Sequence, residues 1–341
     1  MFIKNHSLTR RSFVAGAASA AASCALSQSP AAADHHDDGV ALIAITLDLE
    51  MSRNFPSWED RQWDYQKGNL TDEVKKYTLD ACRRVKDRGG VIHSFAVGRV
   101  LEHPSVDWLK GIAADGHPIG NHTYDHVYVL AKELDNLQFR FQRAPWLVDG
   151  MEVEDVIRQN ILMTREGLKQ RVGIEEAGFR TPGGFAGGLH DHENIQKLFL
   201  DLGYKWVSCT YPGFRGVQDI SRGGDPPPDD LYNTIVGVQK DAQPFTYPSG
   251  LIDIPMSPIS DIGAFRNGRW KLDYFLKAVR LAVEWTIENG AVFDLLTHPS
   301  CIGVVDPEFR TFDLVCDLVE QAGDRAKIVD LDALAERATN E

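Results

Sequence analysis

From residue 40 to about residue 335, short apolar runs alternate with amphipathic stretches of helix length, and this alternation constrains the fold most. The apolar runs include "VALIAITLDL", "GVIHSFAVG", "HPIGNH", "EAGFRTPGG", "YKWVSCT", "GLIDIPMSP", "GAVFDLLTHPS" and "AKIVDLDAL". Between them, helices are expected near 71–88, 105–115, 152–171, 191–202, 272–289 and 307–322. Strand-helix repetition of this kind builds a parallel sheet, either open and doubly wound or closed into a barrel. Polar residues close nearly every strand, at "DLE", "GNH", "RTPGG", "DIP" and "THPS". Ligands in such folds collect at the carboxyl ends of strands, and the polar strand ends favour the barrel, so the expected fold class is α/β, a (β/α) barrel of seven or eight strands in one domain, residues 40–338. Segments 127–151 and 210–250 read as loops over that same face.

The first thirty-three residues stand apart. They hold no acid, and "LTRRSFVAGAASAAASCALS" places Arg10 and Arg11 before an apolar run too short to span a bilayer. With "SPAAAD" as a small-residue cleavage site after Ala33, this reads as a twin-arginine export signal, followed by a disordered tail over 34–39. Cys24 as a lipid-attachment site is the minor alternative. The mature chain is expected outside the cytoplasm, with no further apolar run long enough to span a membrane. Cleavage removes Lys4, Arg10 and Arg11 and moves the formal charge from −13 to −16, a field that disfavours nucleic acid and polyanions as partners. Cys82, Cys209, Cys301 and Cys316 lack metal-type spacing; one or two disulfides are compatible with the sequence, and it fixes neither their pairing nor an oligomeric state.

In "DGHPIGNHTYDHVY", His122 and His126 lie four apart, a spacing that on a helical turn puts both imidazoles on one face. Alone the pair is weak evidence, because histidines at a helix start are also commonly structural. A third group is offered by "ITLDLEM": Asp48 and Glu50, two apart on a strand, point to one side, and two acids at a strand end call for a cation. Glu50, His122 and His126 would hold one divalent ion, zinc by expectation, and leave Asp48 free as a base.

The chain here resembles the NodB-homology polysaccharide deacetylases, carbohydrate esterase family 4, over most of residues 40–335. It supplies, in the family's order, the acid pair Asp48 and Glu50, "HTYDH", "RTPGG", "DIP" and "LLTHP". The resemblance implies a distorted barrel and metal-dependent hydrolysis of an N-acetyl group, with Arg180 holding the Asp48 carboxylate. By the same resemblance Gly183 would aim a backbone N–H at the oxyanion, and His298, oriented by Asp253, would protonate the leaving amine. One departure is plain: Leu49 separates the two acids, which stand adjacent in most of the family. That spacing and the His-Pro ending are similar to a subset with some peptidoglycan deacetylases and with cyclic-imide and ureide hydrolases. The expectation is therefore an exported hydrolase of non-peptide C–N bonds acting on N-acetylated glycans, peptidoglycan- or chitin-like. A small cyclic-amide hydrolase and a catalytically silent carbohydrate binder are the alternatives. His190 and His192 in "GGLHDHEN" read as a loop before a helix capped by Asp191, with a second metal or substrate contact as the alternative. Phe139 and Phe141 read as core or as sugar-stacking groups.

Overall fold

The computed structural model describes residues 39–52, 67–213 and 225–340; the expected export signal, Cys24 and nearly all of the tail lie outside them. The described residues form one sheet of nine strands: β1 (Ala41–Leu49), β2 (Ile92–Ala96), β3 (Ile119–Asn121), β4 (Phe179–Phe185), β5 (Trp206–Thr210), β6 (Phe245–Thr246), β7 (Ile252–Asp253), β8 (Val292–Thr297) and β9 (Ala326–Ile328). Their order is β6-β7-β5-β4-β3-β2-β1-β8, parallel except for the β6–β7 pair, with β9 beside the start of β1. The expected α/β barrel with its distortion is thus present. The distortion lies between β7 and β8, where backbone pairing gives way to side chains. Gln243 caps both backbone groups of Val292, Gln239 donates to the same carbonyl at 3.0 Å, and Ser257 N–H donates to the Asp294 carbonyl at 2.9 Å. These bonds satisfy an edge that would otherwise be unpaired.

Alternation along β1 sorts the interior into layers. Ile43, Ile45, Leu47 and Leu49 pack outward against the helices in the largest apolar cluster. Ala44 points the other way and shares the barrel floor with Phe95, Trp206, Ile252, Ile254 and Val292. Thr46 and Asp48 follow on the inner side at successive heights, as a period of two requires. The outer shell comprises α1 (Asp72–Lys86), α2 (Asp107–Ala114), α3 (Val153–Gly167), α4 (Glu193–Asp201), α5 (Asp229–Gln239), α6 (Leu272–Glu288), α7 (Pro299–Val305) and α8 (Arg310–Ala322). α9 (Leu331–Asn340) closes the floor with Leu331, Leu334 and Ala335.

The expected helices stand within a few residues of their places, and four elements differ from expectation. Segment 210–250 contains α5 and β6, and 127–151 folds into single turns, including Phe139–Arg143, so neither is a plain loop. α7 begins directly at the Pro of the last motif, where Pro is favoured in a first turn. "AKIVDLDAL" divides into β9 and the start of α9. Cys82, Cys209, Cys301 and Cys316 are buried free thiols, so the disulfides that the sequence allowed do not form.

Candidate metal centre and active site

The mouth of the barrel brings together Asp48 and Glu50 from the end of β1, His122 and His126 from the loop after β3, and His298 after β8. Glu50, His122 and His126 each offer one donor atom, and the three lie within 4.8 Å of one another. His126 Nε2 stands 2.7 Å from Glu50 Oε2, and His122 Nε2 stands 3.9 Å from the same oxygen. Glu50 Oε2 is buried against the two imidazoles and accepts no well-aligned hydrogen bond, a costly state for a carboxylate oxygen unless a cation takes it. His122 Nδ1 donates to the Arg180 carbonyl at 2.9 Å, which leaves the Nε2 lone pair facing the centre. Burial drives both imidazoles toward the neutral, ligating form, His126 down to about 4, against the opposing pull of the carboxylates. These donors fit a divalent ion with mixed nitrogen and oxygen preference.

The two histidines do not share a helical turn, as their spacing suggested. Residues 122–126 form a loop in which Thr123 and His126 both adopt left-handed backbone, at φ 58° and 59°. Such torsions are strained for these residues and persist only when the surroundings hold them. Here Asn121 Oδ1 accepts from Thr123 N–H, Thr123 Oγ1 accepts from Val127 N–H, and the backbone and side-chain oxygens of Asn160 accept from Tyr124 and Asp125 N–H. From the other side Gly98 and Arg99 N–H donate to the Thr123 and Tyr124 carbonyls. A Cβ at Gly98 would collide with Tyr124, so the close approach needs glycine.

Beneath Asp48 lies a fully buried charged layer. Arg180 pairs with Asp48 Oδ1 at 3.3 Å and with Asp294, donates to Thr46 Oγ1 at 2.7 Å, and lies 4.5 Å over the Phe95 ring. Asp294 was not foreseen; burial raises its pKa to about 6 despite Arg180.

His298 is also at the mouth, its Nε2 3.8 Å from Asp48 Oδ2 and from Glu50 Oε1. Its expected partner is not Asp253. That carboxylate sits fully buried behind the wall and accepts from Cys209 Sγ, Thr210 Oγ1 and Tyr247 OH, among others. The partner is Asp261, which accepts from His298 Nδ1 at 2.9 Å and from His298 N–H at 2.7 Å. The "DIP" strand turns Asp253 toward β5, whereas Asp261, eight residues on, opens the turn facing β8. Burial opposes the imidazolium, but Asp261, then Asp48 and Glu50, outweigh it and raise the His298 pKa.

Lys67 was also missed. It is buried, and its Nζ is 2.5 Å from Glu50 Oε1. Burial would raise the Glu50 pKa, but His126, Lys67 and His298 together hold it well below the usual range. No sequence pattern flags a lysine that only tertiary folding brings to the acid. Gly183 lines the cavity with φ 81°, within the bulged end of β4. The cavity measures about 480 Å³, and its far wall is Met256, Pro258, Ile259, Ile262 and Leu296.

His190 lies outside this centre, stacked on Phe245 at 5.3 Å and edge-on to Tyr247. His192, not Asp191, holds the N-cap position of α4, and no side chain caps that helix. Phe141 is buried in the core, and Phe139 lies half-buried under the Arg143 guanidinium.

Residues 69–207 match the polysaccharide deacetylase family model. No curated protein matches the chain. Among solved structures, a protein of Mycobacterium smegmatis assigned as a polysaccharide deacetylase is 17% identical, with TM-score 0.59 over 92% of this chain and 95% of that one. A protein of Pseudomonas aeruginosa PAO1, assigned likewise, is 14% identical, with TM-score 0.57 over 90% and 94%. PuuE allantoinase is 15% identical, with TM-score 0.55 over 88% and 91%. At these identities the likeness is one of fold.

Proposed function

We propose, from the match of residues 69–207 to the polysaccharide deacetylase family model together with the site, that the protein is an exported, metal-dependent deacetylase of N-acetylated amino-sugar glycans. The observation that carries the reading is the buried convergence of Glu50, His122 and His126 on one point, flanked by Asp48 and His298 in the same cavity. A binding module needs no such combination of ligand set, base and acid. The twin-arginine pattern at Arg10 and Arg11 supports export.

Glu50, His122 and His126 would hold the ion, which when bound supplies Lewis-acid polarisation of the acyl carbonyl and acidifies water. Arg180 fixes one oxygen of Asp48 and leaves Oδ2 toward His122 and His298, placed to take the proton of the attacking water. Asp261 holds Nδ1–H of His298, so the Nε2 proton faces the cavity and passes to the leaving amine. The raised His298 pKa keeps that proton in place until the C–N bond breaks. Gly183 contributes a backbone amide to the developing oxyanion. The apolar wall excludes water and accepts the acyl methyl group.

Acetate release from N-acetylated oligosaccharides and peptidoglycan, with and without a chelator, tests the reading. Release that stops with chelator and returns with zinc is the expected result; no release from metal-loaded protein removes the deacetylase assignment. The compact cavity and its apolar wall favour a second reading, hydrolysis of a small cyclic amide, which ring opening of a cyclic ureide in the same assay would reveal.

A further inference from the structure

An ammonium beside a site for a divalent cation opposes its occupation, because like charges at close range repel, and low-dielectric walls strengthen the repulsion. The mouth of this barrel nonetheless sets a lysine on a ligand carboxylate. Lys67 Nζ stands 2.5 Å from Glu50 Oε1, whereas Glu50 Oε2 is the oxygen that meets His126 at 2.7 Å and His122 at 3.9 Å. The two oxygens of one carboxylate thus face different partners, Oε1 the ammonium and Oε2 the imidazoles.

The surrounding backbone holds this arrangement. Met51 N–H donates to the Lys67 carbonyl at 2.9 Å, which ties the backbone on either side of the contact. Gly68 follows, where a Cβ would collide with the backbone of Arg99 and Val100, and its carbonyl accepts from His103 Nε2 at 3.1 Å. On the opposite flank Ser300 Oγ donates to the Glu50 carbonyl at 2.6 Å and accepts from Ser52 N–H at 2.8 Å. Glu50 N–H turns back to the Asp48 carbonyl at 3.0 Å. Glu50, which Leu49 places one residue beyond β1, is therefore fixed through both backbone and side chain. A charged donor on a ligating carboxylate sets its orientation and withdraws negative charge from it.

We propose that Lys67 is a positioning residue of the metal centre, which takes Oε1 and so restricts Glu50 to ligation through Oε2 alone. The proposal rests on the reading of Glu50, His122 and His126 as ligands, and adds that this site gives up binding strength for Lewis acidity. One-oxygen ligation keeps a coordination position open for water or the acyl oxygen, and the ammonium leaves the ion less neutralised by its ligands.

The test compares the full chain with Lys67→Met, Lys67→Gln and Lys67→Arg. Competition with a chromogenic chelator gives zinc affinity, zinc-minus-apo infrared difference spectra report the carboxylate, and acetate release from N-acetylated oligosaccharides gives turnover. Lys67→Met should bind zinc about tenfold more tightly and lower kcat by about tenfold with KM little changed. Antisymmetric and symmetric carboxylate stretches lie far apart in one-oxygen ligation and closer together in two-oxygen ligation. The wild-type protein should show the wide separation and Lys67→Met the narrow one. Lys67→Gln, a donor without charge, should shift affinity in the same direction, and Lys67→Arg should stay nearer the wild type. A lysine that served only as a brace would give weaker zinc binding in Lys67→Met and Lys67→Gln. That result, or unchanged affinity, overturns the proposal, and Lys67→Gln decides alone if Lys67→Met does not fold. A narrow separation in the wild-type protein, which needs no variant, also overturns it. Tighter zinc in the variants with no acetate release from any of the proteins would leave this proposal standing and remove the deacetylase reading. Chelator-sensitive acetate release with weaker zinc in the variants would do the reverse. A wild-type chain that takes up no zinc overturns both.

Discussion

His298 receives its orientation and its proton affinity from Asp261, so the consequence of changing that carboxylate follows from the sign of the shift it causes. Asp261→Asn should lower kcat by about a hundredfold and move the alkaline limb of the pH–rate profile to lower pH, because the imidazolium loses its main support. A pH–rate profile checks both, and an unmoved limb would remove Asp261 from this role. Asp48→Asn should abolish turnover while zinc stays bound, since Asp48 is not among the converging donors. Glu50→Ala or His122→Ala should lose the metal, as read by metal analysis after dialysis. The sequence disclosed Asp48, Glu50 and both histidines because strand alternation and a short motif put them on one side. It could not disclose Lys67, Asp261 or Asp294, whose partners lie 17, 37 and 114 residues away and meet them only after folding.

At the scale of elements, the metal loop depends on α3. Asn160 accepts from two loop amides through its backbone and side chain, opposite a turn with two left-handed, non-glycine residues. Asn160→Leu removes the side-chain acceptor and leaves the buried Asp125 N–H without its partner. Zinc affinity should fall by about tenfold while the barrel persists, as metal titration followed by circular dichroism would show. The strand-helix order was legible in the sequence because burial follows period, and so was the site's place at the carboxyl ends of the strands. The short strands were less so. β6 and β7 have two residues each, too few for a period to declare itself, and side-chain amides, which carry no pattern, complete the seam beside them.

For the whole molecule, the buried histidines set the pH response. Burial lowers His93 to about 3 and His126 to about 4 against an ordinary 6.5, so the folded state binds fewer protons than the unfolded chain between those values. Their stabilising effect is complete above pH 6.5 and is lost as the pH falls toward about 4 for His126 and about 3 for His93. His298, shifted upward, acts oppositely: its contribution is complete below 6.5 and is lost as pH rises through its folded value. The metal-free protein should therefore melt about 5 °C or more lower at pH 5 than at pH 7, and the zinc-loaded protein should show a steeper loss because protons compete for the ligands. A melting series at both states checks this. One further consequence follows from β1, which lies between β2 on one side and β8 on the other, with β9 beside its first residues. This strand, which holds Asp48 and leads into Glu50, is synthesised before β8 and β9, its neighbours on the far side. A nascent chain thus keeps one side of β1 as an open edge until residues 292–328 have emerged. A chain stopped before residue 292 would have the loop of His122 and His126 but neither β8 nor His298.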